Sequence, residues 1–224
     1  MSAHFGQDLE ELKKKLIVMA GNAETAVTRA MRAVVERDDD LGRRVKEDDS
    51  ILDEFEKEID EISINLLARA PLASDLRLIA VAMKISHDLE RVGDEATTIA
   101  RRALELSQEP QLHTEVDLSA MAGMSLQMLK EALEAFVNRD AAKARAIIPR
   151  DKQVDSLNKQ LHRELASYMV ERPSTISRCL HLMTISKSLE RIGDHATNIA
   201  EEVVYLQEGE DIRHDPRIKQ AGPL

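Results

Sequence analysis

Aromatic residues are almost absent from this chain. Its 224 residues include no Trp, two Tyr and three Phe, although 43% of the residues are hydrophobic. β-Strands are enriched in aromatic and β-branched residues, whereas Leu, Met and Ala favour helices. Only eight Gly and six Pro are present, which leaves few positions for turns. The composition therefore predicts an all-α protein of long helices and disfavours a β-sandwich.

Cysteine and long apolar runs are also scarce. The single Cys179 excludes an internal disulfide and disfavours a cysteine-based metal site, so we expect a small buried thiol. No apolar run approaches the roughly 18 residues of a membrane-spanning helix. The N-terminal segment MSAHFGQDLEELKKK lacks the charged-then-apolar pattern of a signal peptide. We therefore expect a cytoplasmic protein.

Positive charge is in deficit, with 31 basic against 41 acidic residues and a net charge of −10. Surfaces that bind nucleic acid or anionic lipid carry excess Lys and Arg, so the balance disfavours both partners. The motifs of several catalytic classes are missing as well. The chain has no Gly-rich phosphate loop, no GxSxG, no HExxH and no Glu-x-x-His. We therefore expect a protein without enzymatic activity.

Two segments of the chain repeat each other. Residues 85–100 read ISHDLERVGDEATTIA and residues 185–200 read ISKSLERIGDHATNIA, so most positions are identical at an offset of 100. Such self-similarity indicates two copies of one structural unit. Further matches occur at an offset of 102: Arg37-Asp38 with Arg139-Asp140, Asp49 with Asp151, Asp53 with Asp155, and Pro71 with Pro173.

Apolar residues recur at spacings of three and four in both copies, as in amphipathic helices. Breaks at 37–40 and 138–140, and the prolines Pro71 and Pro173, divide each copy into three helices. Short connections between helices favour antiparallel neighbours. We predict two tandem three-helix bundles at 5–108 and 117–207, a linker at 109–116 and a polar, partly disordered tail at 208–224.

Each copy carries two pairs of carboxylates spaced four residues apart, which share one helix face. Their heptad positions lie away from the apolar seam, so we expect them outside the core. The eight positions are Asp49, Asp53, Glu90, Asp94, Asp151, Asp155, Glu190 and Asp194.

The carboxylate pairs have two interpretations. They form either a solvated acidic face or sites for a cation that relieves a repulsion of roughly 1 kcal/mol per close pair. Oxygen ligands favour Mg²⁺, Mn²⁺, Ca²⁺ or iron, and Zn²⁺ also binds them. Gly93 and Gly193 each cost a helix about 1 kcal/mol relative to Ala, which indicates close backbone approach or space for an ion.

Three further residues lie beside the acidic pairs. His195 follows Asp194, but its counterpart is Glu95. It is therefore an auxiliary ligand at best and is more simply a surface histidine. Arg91 and Arg191 each follow a glutamate. They are candidate auxiliary residues of the acidic sites, and the simpler interpretation is that each forms a salt bridge to a neighbouring helix.

The doubled pattern LER[VI]GD-x-AT-x-IA, preceded in each copy by D-x-x-x-D, resembles the PhoU family over about residues 5–214. The resemblance implies two similar three-helix bundles that often dimerise. It also implies a cytoplasmic negative regulator of the phosphate-starvation response. Such a regulator bridges the ATPase subunit of the phosphate ABC transporter to a membrane-bound, phosphate-sensing histidine kinase, and it meets the membrane only through these partners.

The resemblance further implies iron or zinc clusters on the bundle surface, and no organic cofactor. One cluster would use Asp49, Asp53, Glu90 and Asp94, and the other would use Asp151, Asp155, Glu190 and Asp194. Asn198 matches an Asn that the family often has four residues after the Asp, whereas Thr98 does not. Two alternatives stay open: an adaptor whose acidic face binds nothing, and a metalloenzyme that uses the surface clusters.

Overall fold

The computed structural model describes residues 2–69, 72–112 and 117–213, and this part of the chain is helical without any strand. Its α-helices are α1 Ser2–Glu36, α2 Asp39–Glu47, α3 Ser50–Leu67, α4 Ala73–Leu106, α5 Leu118–Asn138, α6 Ala141–Ile147, α7 Asp151–Glu171 and α8 Ile176–Glu208. The 3₁₀ turns Ile148–Arg150 and Pro173–Thr175 flank α7. The predicted all-α repeat of helical bundles is confirmed.

Each half contains one helix more than predicted. Where the sequence indicated only a break, the short helices α2 and α6 follow a reversal at Arg37 and Arg139, both at φ 55°. The next residue caps the short helix in both halves. Asp38 Oδ1 accepts hydrogen bonds from the backbone N–H groups of α2, and Asp140 Oδ1 accepts one from Lys143 at 2.9 Å. In each half, the Arg of the matched pair therefore ends one helix and the Asp caps the start of the next.

The third long helix of each half begins well before the repeated segment. Leu78 and Ile79 of α4 and Cys179 and Leu182 of α8 are buried, so the core extends towards the start of both helices. Cys179 is a free, buried thiol, as predicted. Pro173 ends the α7 segment as expected, whereas Pro71 lies outside the described residues.

The two halves pack on each other through α4 and α8, which run antiparallel. Arg191 Nη1 lies 3.0 Å from Glu95 Oε1, and Lys84 Nζ lies 2.8 Å from Glu202 Oε1, so residue numbers fall along α4 as they rise along α8. One continuous hydrophobic core includes residues of both halves, among them the fully buried Leu89 and Leu189. The tandem repeats therefore form one packed body.

The start of the predicted tail is ordered against the bundle. Gly209, at φ 72°, ends α8, and Ile212 is buried. Arg213 lies 3.6 Å from Glu202 Oε1. The first residues of the tail, 209–213, are therefore held against the bundle by Ile212 and Arg213, and residues 214–224, on which the rest of the prediction falls, lie outside the described part. No described helix is long and apolar enough to span a membrane.

Candidate functional site

The first acidic cluster, Asp49, Asp53, Glu90 and Asp94, lies where the start of α3 packs on the middle of α4. Partial burial raises the pKa of Asp94, and the charges of Asp49 and Asp53 raise it further. Burial also raises the pKa of Glu90, with Asp94 as the next cause. The charges of the α3 carboxylates therefore act on Glu90 and Asp94 of the neighbouring helix.

A basic residue of the same helix already offsets part of this charge. Arg91 Nη1 donates to Asp94 Oδ2 at 2.8 Å, and Arg91 Nε lies 3.1 Å from Glu90 Oε2. The expected bridge from Arg91 to a neighbouring helix is therefore wrong, because two carboxylates of α4 lie within reach. Its counterpart Arg191 does bridge helices, with Nη1 donating to Glu95 Oε1 of α4.

The second acidic cluster, Asp151, Asp155, Glu190 and Asp194, lies between α7 and α8. Burial raises the pKa of Asp194, followed by the charges of Glu190 and Asp155. Two lysines accompany the cluster: Lys187 forms an ion pair with Glu190, and Lys159 Nζ lies 3.5 Å from Asp155 Oδ2. The second cluster is therefore more fully neutralised by the protein itself than the first.

The prediction that all eight carboxylates lie outside the core is wrong for the two glutamates. Glu190 is buried at 8% exposure, and the Glu90 side chain is 11% exposed. Heptad positions describe one apolar seam, whereas α4 packs against α1, α3 and α8. A residue that faces away from one seam can therefore face another helix.

The two mid-helix glycines have different surroundings. A Cβ at Gly93 would lie 2.3 Å from Leu52 Cδ1, so close approach explains this glycine. At Gly193 the nearest atom to such a Cβ would be Asp151 Oδ1, at 3.6 Å. The helices therefore pack tightly at this glycine in the first copy, where α3 meets α4, but not in the second, where α7 meets α8.

His195 and Asn198 both contact Asp88, a residue that is not repeated in the second copy. His195 Nδ1 lies 2.8 Å from Asp88 Oδ1, and Asn198 Nδ2 donates to the same oxygen at 3.3 Å. Asp88 is buried, so the two side chains satisfy a carboxylate inside the α4–α8 contact. Asp88 has Ser188 as its counterpart, so the match between the two copies gives no sign of its role.

A more compact set of ligand atoms lies largely at positions that the two copies do not share. One oxygen each of Glu56 and Glu90 and a ring nitrogen of His87 lie within 4.8 Å of one another. In the described part of the chain, no other group of three or more His, Cys, Asp or Glu side chains brings its ligand atoms this close together. The spacings of three residues, from Asp53 to Glu56 and from His87 to Glu90, could have indicated that these side chains extend the predicted cluster.

The carboxylate clusters nevertheless fit a hard cation by chemistry. Their oxygens are the donors that such ions prefer, and the raised pKa values of Glu90, Asp94 and Asp194 reflect partial burial together with negative charge that a cation would offset. In the first cluster the cation would replace the contacts of a single arginine, Arg91.

Comparison with known proteins places the chain in a family. The PhoU domain model matches residues 16–103 and 118–203. The phosphate-specific transport system accessory protein PhoU homolog of Pseudomonas aeruginosa is 43% identical over 216 residues, which cover 96% of this chain and 89% of that protein. The homolog of the same name from Rhizobium meliloti is 41% identical over 212 residues, covering 93% and 89%.

Solved structures agree with this match. The crystal structure of PhoU from Pseudomonas aeruginosa has a TM-score of 0.89 at 42% identity and covers 92% of this chain and 100% of that chain. The phosphate transport system regulatory protein PhoU from Streptococcus pneumoniae has a TM-score of 0.87 at 31% identity, covering 92% and 98%. On the two matched repeats, the identity to these relatives and the shared fold, this chain belongs to the PhoU family.

Proposed function

We propose that this protein is an accessory protein of a phosphate transport system that acts as a negative regulator. When phosphate is plentiful, it would hold the phosphate-starvation response off by linking the ATPase subunit of the phosphate ABC transporter to a phosphate-sensing histidine kinase. The observation that carries the proposal is membership of the PhoU family over nearly the whole chain, with relatives named as phosphate-specific transport system accessory proteins.

The shape of the bundle supports a role that joins two partners. α4 has 34 residues and is therefore about 51 Å long, and the antiparallel α8 runs beside it. Each end of this pair carries exposed apolar side chains at a helix–helix connection. The first apolar end consists of Ile64, Leu67, Leu72 and Leu76, and the second apolar end consists of Val170, Ile176 and Leu180.

The two apolar ends are far apart because α4 starts where α8 finishes. Arg77 near the start of α4 lies 5.4 Å from the ring centroid of Tyr205, and Glu105 near its end lies 3.1 Å from His181 of α8. Exposed apolar patches are typical of protein interaction sites. Under the proposal one partner binds at each end, and the protein works in the cytoplasm without enzymatic activity of its own.

Binding measurements with purified partners test this proposal. We would measure how tightly the ATPase subunit and the cytoplasmic part of the kinase each bind the native chain. The same measurements would be made on two double variants, Leu72→Ser with Leu76→Ser and Ile176→Ser with Leu180→Ser. Each variant is expected to weaken one partner at least tenfold and to leave the other unchanged. A control with Ile17→Ser and Val18→Ser, which alters exposed residues of α1, should bind both partners. A native chain that binds neither partner would contradict the proposal.

Metal binding at the two acidic clusters is a second part of the proposal. Cations held by Asp49, Asp53, Glu90 and Asp94, and by the corresponding residues of the second half, would stiffen the contacts of α3 with α4 and of α7 with α8, between the two apolar ends. Metal analysis of the purified native chain and of a variant with Asn or Gln at the eight positions tests this part. The homodimer that the family resemblance implies also stays a prediction, which light scattering measures directly.

A further inference from the structure

Arg77 follows Leu76 of the first apolar end, and the end of α8 fixes the position of its half-buried side chain. Its guanidinium carbon lies 5.4 Å from the ring centroid of Tyr205. A Cβ added at Gly209 would lie 3.2 Å from Arg77 Nη1, so the guanidinium also packs on the backbone of that glycine. The aromatic ring and the glycine therefore keep a positive charge beside exposed leucines.

No carboxylate of the described residues neutralises Arg77. The carboxylates at the neighbouring end of α8 have other bases: Glu202 pairs with Lys84, Glu208 and Glu210 with Arg145, and Asp211 with Arg213. Arg69, the other arginine at the first apolar end, pairs with Asp8 at 2.7 Å. Asp75 lies in the first turn of α4, where a carboxylate complements the helix dipole, and residues two apart do not face each other. Arg77 is therefore available to a carboxylate from another protein.

The first apolar end is formed by two helix ends, and this favours a helical occupant. Ile64 and Leu67 come from the end of α3, and Leu72 and Leu76 come from the start of α4. Ile64 is 62% and Leu72 61% exposed. The described part of the chain has no strand, so it offers no sheet edge with which an extended peptide could pair. An amphipathic helix satisfies its own backbone and needs only apolar and charged contacts.

We infer that the first apolar end binds an amphipathic helix of a partner protein, one that carries a carboxylate beside its apolar face. The apolar face packs on Leu72 and Leu76, and the carboxylate accepts hydrogen bonds from Arg77. Arginine and well-packed aromatic residues are typical of the positions that contribute most to protein–protein affinity. A lipid surface is disfavoured, because anionic lipid recruits clusters of about four to eight basic residues and Arg69 is already paired. The inference rests on the proposed function, since it assigns a chemistry to the partner at this end.

Substitutions of Arg77 in the full chain test the inference with the purified ATPase subunit and the cytoplasmic part of the kinase. Arg77→Gln removes the charge and should lower the affinity for one partner at least tenfold. This should be the partner that Leu72→Ser with Leu76→Ser also weakens. Arg77→Lys keeps the charge and should bind that partner more tightly than Arg77→Gln does. Added salt should weaken the native complex more steeply than the Arg77→Gln complex, a difference that a purely structural role of Arg77 would not produce.

Two other arginines serve as matched controls. Arg69→Gln, at the same end, and Arg172→Gln, at an exposed position near the second apolar end, should each leave this affinity within about twofold of the native value.

Three results would overturn the inference. If the partner that depends on Leu72 and Leu76 binds folded Arg77→Gln as tightly as the native chain, the inference fails and the proposed function stands. A native chain that binds neither partner contradicts both. If the native chain instead sediments with phosphatidylglycerol vesicles, and Leu72→Ser with Leu76→Ser abolishes this, the first apolar end is a lipid-binding surface.

Discussion

Alanine at Gly93 and at Gly193 should have different effects on the free energy of unfolding, although the two glycines occupy matched positions. In a helix interior, Ala is favoured over Gly by about 1 kcal/mol. At Gly193 the nearest atoms to a new Cβ would be Asp151 Oδ1 at 3.6 Å and Val154 Cγ1 at 3.7 Å, which are ordinary contacts. Gly193→Ala should therefore stabilise the protein by about 1 kcal/mol.

At Gly93 the same methyl group would meet Leu52 Cδ1 at 2.3 Å, and Leu52 is buried at 5% exposure. Displacing a buried side chain typically costs about 1–3 kcal/mol. This cost offsets or exceeds the gain in helix propensity, so the net effect of Gly93→Ala should be a destabilisation of about 0–2 kcal/mol.

Urea unfolding of a double-mutant cycle measures this effect. Leu52→Ala alone should cost about 2–5 kcal/mol because it leaves a cavity. Since it also removes the atom that a Cβ at Gly93 would meet, Gly93→Ala in that background should stabilise by about 1 kcal/mol. The reasoning is refuted if Gly93→Ala stabilises the native chain as much as Gly193→Ala does, or if its effect is the same with and without the Leu52 side chain.

Two further predictions concern backbone strain and charge. Arg139→Gly should stabilise the protein by about 1 kcal/mol in urea unfolding, because Gly adopts φ 55° without strain. Arg37→Gly should stabilise the protein less than Arg139→Gly or destabilise it, because it also removes the guanidinium that donates to the carbonyls of Leu106 and Ser107. Equal changes in the free energy of unfolding for the two variants would contradict this prediction. The folded-state pKa of Asp94 is raised above its unfolded value, so this carboxyl lowers stability as pH rises through that interval. In metal-free protein, Asp94→Asn should therefore raise the melting temperature at pH 7. The rise should be only roughly 1–2 °C because the Asp94 side chain is 46% exposed, and it should vanish in acid. A variant that melts at a lower temperature than the native chain at pH 7 would contradict this prediction.

The long helices and the repeat could be predicted because their signals are regular. Leu89, Val92 and Ala96 follow the helical period, recur as Leu189, Ile192 and Ala196, and are all buried. The helix α2 was missed because its sequence DDLGRRVKE is mostly charged and buries only Gly42 and Val45. A helix of nine residues shows too few periods for a pattern to be recognised.

Candidate site residues were singled out from the sequence only where the two copies agree. Glu90 and Asp94 became candidates because Glu190 and Asp194 match them. Asp88 contacts His195 across the α4–α8 interface, a pairing that depends on how two distant helices pack. Glu56 and His87 were missed for a related reason: the second copy has replaced both side chains, so matching the copies discards them.

The most direct test of the proposed regulation is a phosphate-starvation reporter in cells that lack this protein and grow in ample phosphate. The native chain and the variant with Asn or Gln at the eight acidic positions would be supplied in turn. The proposal predicts a high reporter signal without the protein and silencing by the native chain, and the variant then measures what the acidic clusters contribute. A reporter that stays low without the protein would contradict the proposed role as a negative regulator.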